Sequence, residues 1–338
     1  MPIADENPLT PQRTRDPGVR RRAVHGSCQS VPMSSTAAIV VVSGANGFVG
    51  SRVCEALVER GALVRAIVRR AGTAPELPGV AEVVGDFADP ELARSVVSGA
   101  SSVITTVHPM ESDRATQQRV GVDGTLVLGR AAARAGVERL IHISTAAVYD
   151  RSPDVSDVDE SSALVPDDAD DYAVTKRNAD LALADLKGIT RVLLRPPAIL
   201  GPGPTSNWNT LVPAEMRTDE AARRAEADRT FAWVHVADLA SLTADLAVGR
   251  VADAADPADG PIPGACIPLN VAAAPATLRD YVGAVTAALG VDPVWEETRG
   301  WTGRLLADRA HRWGWSPGVD LAHALAELAA GLSGRSQR

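Results

Sequence analysis

Lysine is almost missing from this 338-residue chain: only Lys176 and Lys187 occur, and every other basic residue apart from histidine is arginine. Aromatic residues are scarce as well, at 4 %. No apolar stretch is long enough to cross a bilayer as a helix, and the longest candidate, Ala37 to Val42, has the length of a strand. Membrane is therefore not an expected partner. Three cysteines, Cys28, Cys54 and Cys266, show neither metal-ligand nor redox spacing. That excludes a disulfide framework and fits a reducing cytoplasm, the expected location. Six histidines lack ligand spacing on a helix, so no metal is expected. Positive charge is in deficit too: the formal net charge is −8. An acidic body argues against general nucleic-acid binding. Ser43 and Ser144 lie outside any nucleophile-elbow pattern, which disfavours hydrolysis, and no solenoid-type repeat is present.

The first 36 residues differ from the rest. They hold five prolines, clustered arginines and a net charge of +2, with little apolar periodicity, and read as a disordered arm. Met33 is a candidate start, because the ordered pattern begins just after it.

From Ala38 the chain alternates strand-like and helical patterns. Ala38–Val42 is a β-branched strand, Ser51–Arg60 an amphipathic helix, and further strands are expected at Leu63–Val68, Val80–Gly85, Ser102–Thr106 and Leu140–Ser144. Such alternation predicts an α/β fold with a parallel sheet covered on both faces. Between the first strand and helix stands Ser43-Gly44-Ala-Asn-Gly47-Phe48-Val49-Gly50. Gly44 permits the tight turn, Gly47 lets a pyrophosphate approach the backbone, and Gly50 allows close helix–strand packing. Phosphates then meet free N–H groups at the helix start. The second strand ends in Arg69-Arg70, where a fold selecting NAD usually carries a carboxylate. Arginine suits the 2′-phosphate of NADP. NADP(H) is thus the expected cofactor, with NAD(H) the alternative.

The scarce residues converge in Asp-Tyr172-Ala-Val-Thr-Lys176. Random placement of three tyrosines and two lysines would give a Tyr-x-x-x-Lys pair in about 0.02 of such chains. Spacing of four places both side chains on one helical face. An ammonium beside a phenol favours the phenolate, which predicts a lowered pKa and a general acid or base near neutral pH.

Together these residues resemble the extended short-chain dehydrogenase/reductase family, also called the NAD-dependent epimerase/dehydratase family, from about Ala37 to the C-terminal helix. Asp86 and Phe87 match the pair flanking adenine. Gly124-Thr125 and Ala135–Arg139 match the helix and turn before the fifth strand. Ser144-Thr145-Ala-Ala-Val-Tyr149 resembles the active-site strand end, and Arg195-Pro196-Pro-Ala-Ile199-Leu-Gly201-Pro-Gly203 the segment around the nicotinamide. Trp233–Ala240 and Asp308–Pro317 resemble the later signatures. The resemblance implies a Rossmann-type doubly wound parallel sheet with a smaller C-terminal substrate lobe. Residues 37–200 would form the sheet domain, also receiving about 231–250 and 265–272. Residues 201–230 and 273–335 would form the lobe. It further implies Thr145, Tyr172 and Lys176 as the catalytic triad. Thr145 would hold the substrate oxygen, Tyr172 would move the hydroxyl proton, and Lys176 would bind the nicotinamide ribose. Thr106, Pro196 and Ile199 join the cofactor site, and a homodimer packed through the helices of Thr125 and Tyr172 follows from the same resemblance.

Two departures narrow the reading. The family's usual Asn before Val122 is Gly121 here. Ala146 and Ala147 follow Thr145 where sugar 4,6-dehydratases carry Asp-Glu, which disfavours dehydration. The expected activity is hydride transfer between the nicotinamide and a ketone or secondary alcohol of a small molecule. A nucleotide-sugar epimerase holding NAD tightly is the alternative, and a non-catalytic NADP-sensing regulator a remote third. Candidate substrate contacts are His108, Ala146, Trp208 and Arg217. The run Arg217, Arg223, Arg224 and Arg229 offers a grip for a diphosphate or carboxylate.

Overall fold

The computed structural model describes residues 37–335, so the proline-rich arm and its expected disorder lie outside the described residues. The elements are, in order, β1 (Ile39–Ser43), α1 (Phe48–Glu59), β2 (Leu63–Val68), β3 (Val80–Val84), α2 (Pro90–Val96), β4 (Ser102–Thr105), α3 (Arg114–Gln117), α4 (Thr125–Arg134), β5 (Arg139–Ile143), α5 (Asp171–Asp185), β6 (Thr190–Arg195), β7 (Ala198–Leu200), α6 (Val212–Thr218), β8 (Arg224–Glu226), β9 (Trp233–His235), α7 (Val236–Ala247), β10 (Cys266–Asn270), α8 (Leu278–Leu289), β11 (Val294–Glu296), α9 (Asp308–Arg312) and α10 (Leu321–Arg335). Seven strands form one parallel sheet in the order β10-β6-β5-β4-β1-β2-β3. The order reverses between β1 and β4, which opens a crevice at their carboxyl ends.

Period-two alternation divides the core. Val40, Val42, Ile104 and Ile141 face α1 and α7, among Val53, Leu57, Leu239 and Leu246. Their neighbours Val41, Val103 and Leu140 face the other layer, with Val96 of α2, Leu128 of α4 and Leu183 of α5. Both faces of these strands are buried, so their sequences read as continuous apolar runs. A third apolar cluster gathers Met216, Phe231, Trp233, Tyr281 and Leu328.

Buried arginines fasten helix ends to the sheet. Arg191 of β6 donates from Nε to Leu183 O at 3.1 Å and from a terminal nitrogen to Ala184 O at 3.3 Å, so a cation closes the last turn of α5. Arg139 of β5 does the same for α7, donating to Leu246 O at 2.8 Å. Such groups keep the strand ends, and the loops beyond them, fixed relative to the helices.

Candidate active site

The glycine loop has the geometry its composition demands. Gly44 has φ +70°, and a Cβ there would lie 2.5 Å from Thr106 Oγ1. A Cβ on Gly50 would lie 2.1 Å from the Gly44 carbonyl oxygen. Gly47 is extended, donates to Gly44 O at 2.9 Å and supplies no side-chain cap. Helix α1 therefore starts at Phe48, three residues before the expected Ser51, and its first N–H groups face the crevice uncapped by side chains. This cradle fits a dinucleotide pyrophosphate. Thr106 closes its floor by donating to Ser43 O at 2.8 Å.

Arg69 and Arg70 are exposed just past β2, with no acid beside them in sequence. On the neighbouring strand Glu82, opposite Ala66 in register, accepts from the N–H groups of Gly72, Thr73 and Ala74 at 3.0–3.1 Å, which holds it below its usual range. Its charge organises the loop after Arg70. Asp86 is exposed past β3, whereas Phe87 is buried in the core against Gly124.

Helix α5 carries the proposed acid–base pair. Asp170 caps it, accepting from Tyr172 N at 2.9 Å. Tyr172, Lys176 and Asp180 follow at intervals of four on one face. Lys176 is buried and donates to Ile143 O, the last residue of β5, at 2.7 Å. Burial lowers its pKa to about 8, and the Asp180 carboxylate opposes that fall. Asp180 accepts from Arg195 Nε at 2.9 Å. Arg195 in turn donates to Tyr149 Oη at 2.8 Å, and Tyr149 to Asn270 at 2.7 Å. A buried polar chain thus runs behind the strand ends from the lysine to β10.

Thr145 stands directly across from this face. The β5–β6 pairing continues past the strand ends, with Ala146 N donating to Pro196 O at 2.8 Å, and this places Thr145 beside Tyr172. The expected depression of the tyrosine pKa is not what the structure shows. Burial raises Tyr172, the hydrogen bond with Thr145 opposes the rise, and Asp170 adds to it. The reason is geometric, since the Lys176 ammonium is directed at the Ile143 carbonyl.

His108 packs edge-on against Tyr172, with ring centroids 5.3 Å apart at 81°. Its Nε2 lies 3.1 Å from both Gln117 Oε1 and Thr175 Oγ1. Burial, and then the charge of Lys176, lowers its pKa to about 3, so it is neutral at working pH. The other ring nitrogen abuts Gly121, where a Cβ would lie 2.4 Å from it. Gly121 sits in a π-turned stretch, Gln118–Gly124, leading into α4.

Beside this centre opens a cavity of about 320 Å³, lined by Ala147, Tyr149, Arg151, Asp170, Arg229 and Trp301 among others. None of the four candidate substrate contacts lines it, and His108 stays behind Tyr172 on Gln117 and Thr175. Ala146 is fully buried in the core, so that position passes to Ala147. Trp208 packs edge-on with Phe231 and Tyr281 in the third apolar cluster. Arg217 is exposed on the last turn of α6, outside the cavity lining. Sequence reading passed over Asp180, Gln117 and Arg151. Only Asp180 had a visible signal, the helical repeat after Lys176.

Residues 44–232 match the family model described as NAD(P)H-binding. The chain is 32% identical over 180 residues to a 4-hydroxy-2-methyl-3-oxo-4-farnesyl-3,4-dihydroquinoline-1-oxide ketoreductase of Stigmatella aurantiaca, covering 51% of this chain and 54% of that protein. It is 32% identical over 173 residues to a 2-alkyl-3-oxoalkanoate reductase of Stenotrophomonas maltophilia, covering 48% and 52%. The chain spans about half the length of these curated relatives. Among solved structures, the UDP-glucose 4-epimerase of Thermotoga maritima with UDP-glucose superposes with a TM-score of 0.69 at 18% identity, covering 88% of this chain and 99% of that one, a likeness of fold alone. No helix among the described residues is long and apolar enough to cross a membrane. With the glycine cradle and the sheet order in place, the chain belongs to the NAD(P)H-binding family.

Proposed function

We propose that this protein is an NAD(P)-dependent oxidoreductase acting on a ketone or secondary alcohol of a small molecule. The observation that carries the reading is the hydrogen bond between Thr145 and Tyr172, with Lys176 buried one helical turn behind and the neighbours Ala147 and Ala173 in the cavity wall. When bound, the nicotinamide supplies or accepts the hydride. Thr145 orients the substrate oxygen by hydrogen bonding. Tyr172 gives its phenolic proton to that oxygen in reduction and takes it back in oxidation. Lys176, protonated below about pH 8 and anchored on the Ile143 carbonyl one helical turn behind Tyr172, binds the nicotinamide ribose. Gly44, Gly47 and Gly50 leave room for the pyrophosphate. Phe48 and Val49 open α1 beneath it, and Pro196 and Ile199 border the nicotinamide end.

Arg69 and Arg70 support a preference for NADP(H), since no acidic residue stands beside them to bind a free ribose. Two relatives support ketone reduction: one is named a ketoreductase, and the other reduces a 3-oxoalkanoate, a molecule with both ketone and carboxylate. A homodimer through α4 and α5 belongs to the same proposal, and Leu181, 51% exposed on α5, suits a covered face. Tyr172→Phe tests the reading: turnover should fall on the order of a hundredfold to ten-thousandfold with cofactor affinity retained. Undiminished turnover would end the assignment.

A further inference from the structure

The cavity beside Tyr172 holds two cations that share no anion. Arg151 lies two residues past Tyr149, its guanidinium carbon 5.7 Å from the centroid of Trp301. Arg229, from the segment between β8 and β9, lines the same cavity and is exposed. Among the described residues neither guanidinium makes an ion pair or a side-chain hydrogen bond. Burial lowers the pKa of Arg151, and the charge of Arg229 lowers it further, so the two groups repel one another. Asp170 also lines the cavity; its Oδ1 accepts from the N–H groups of Tyr172 and Ala173, and the carboxylate forms no ion pair with either guanidinium. Two like charges directed into one cavity destabilise the free protein, and an oxyanion between them relieves that cost.

Position links the pair to the reaction. The cavity wall includes Ala147, two residues from Thr145, and Ala173, next to Tyr172. A ligand whose carbonyl meets those hydroxyls therefore presents its other end to the guanidiniums. Their planar forks match the two oxygens of a carboxylate. At about 320 Å³ the cavity is near the small end of ligand pockets, roughly 300–1,000 Å³, a size for a short acid rather than a nucleotide sugar.

We propose that Arg151 and Arg229 form an oxyanion subsite, and that the substrate is a keto acid whose carboxylate lies a few bonds from the reacting carbon. This rests on the ketone reading above and names its substrate class.

The test compares methyl-ketone acids with one to four methylenes between ketone and carboxylate, each against its methyl ester. For the fitting length, the wild-type protein should favour acid over ester in kcat/KM by on the order of tenfold to a hundredfold. Arg229→Gln and Arg151→Gln should each move that ratio toward one, while Arg229→Lys, which keeps the charge, should retain much of it. A wild-type ratio near one, or a ratio that survives in both glutamine variants, overturns the subsite. If no ketone of either kind is reduced with NADH or NADPH, the oxidoreductase reading fails instead. The subsite is then judged by calorimetric binding of the same acids: binding lost in the double glutamine variant sustains it, and absent or undiminished binding overturns it. Tighter binding of UDP-glucose than of every keto acid would overturn the carboxylate assignment.

Discussion

Replacing Asp180 with asparagine should move the alkaline limit of activity to lower pH. Lys176, Asp180 and Arg195 are 3%, 2% and 5% exposed, so solvent screens little of what passes between them. Lysine and aspartate stand one helical turn apart, about 6 Å, where opposite charges attract by about 3 kcal/mol at an effective dielectric near 20. That corresponds to about two pH units, of which relaxation around a neutral asparagine should leave at least one. Burial alone lowers the lysine, and the carboxylate is what keeps it as high as about 8. Because the ammonium is the working form, kcat/KM in the wild type should decline as pH rises through about 8. In Asp180→Asn the decline should begin at least about one unit lower.

Stability carries the same signature with the opposite slope. The folded lysine titrates near 8 against 10.5 for the unfolded chain, so the folded state binds fewer protons between those values. Its burial costs about 3 kcal/mol below pH 8, and that cost fades as pH rises toward 10.5. The variant lowers the folded value further and leaves Arg195 short of its anion. It should therefore be less stable at neutral pH by up to about 3 kcal/mol, the low end for breaking a buried pair, because asparagine still accepts from Arg195. A pH–rate profile from about pH 6 to about 10, with denaturant melts at both ends, reads both effects. An alkaline limb that stays in place in a folded variant would refute the coupling, and so would one that moves upward.

Three further outcomes follow from the geometry. Gly50→Ala places a Cβ 2.1 Å from the Gly44 carbonyl, so α1 must shift out of its cradle, and cofactor affinity measured by fluorescence titration should fall on the order of tenfold to a hundredfold. The double change Arg69→Ser and Arg70→Ser should raise KM for NADPH about tenfold or more while leaving that for NADH nearly unchanged, one lost charge-assisted contact being enough. Gly121→Ala drives a Cβ into the His108 ring, 2.4 Å from Nδ1, and should cost about 1–3 kcal/mol in melts together with a fall in kcat, since Tyr172 loses its packing partner.

What was legible in the sequence is what local chemistry dictates. Gly44 and Gly50 had to be glycine, because a Cβ at either meets backbone or side chain within 2.5 Å, and a run such as Ile39–Ser43 buried on both faces can only be an inner parallel strand. Tyr172 and Lys176 stood out because their spacing is helical and their residue types are scarce. The sign of the tyrosine shift was not legible, since it depends on which carbonyl the lysine reaches. Nor was the Arg151–Arg229 pair, whose members line one cavity only after α5, β6, β7, α6 and β8 have folded between them. Gly121, which stands in place of the family's usual Asn, and His108 beyond β4 look unrelated in sequence. In space they are one exchange. The side chain missing at 121 leaves the room that the His108 ring fills, and the ring returns hydrogen bonds to Gln117 and Thr175 and an edge to Tyr172. A lost polar group beside an acid–base tyrosine therefore does not by itself argue against catalysis, because the π-turned helix start lets a neighbouring strand end supply the support from the other side.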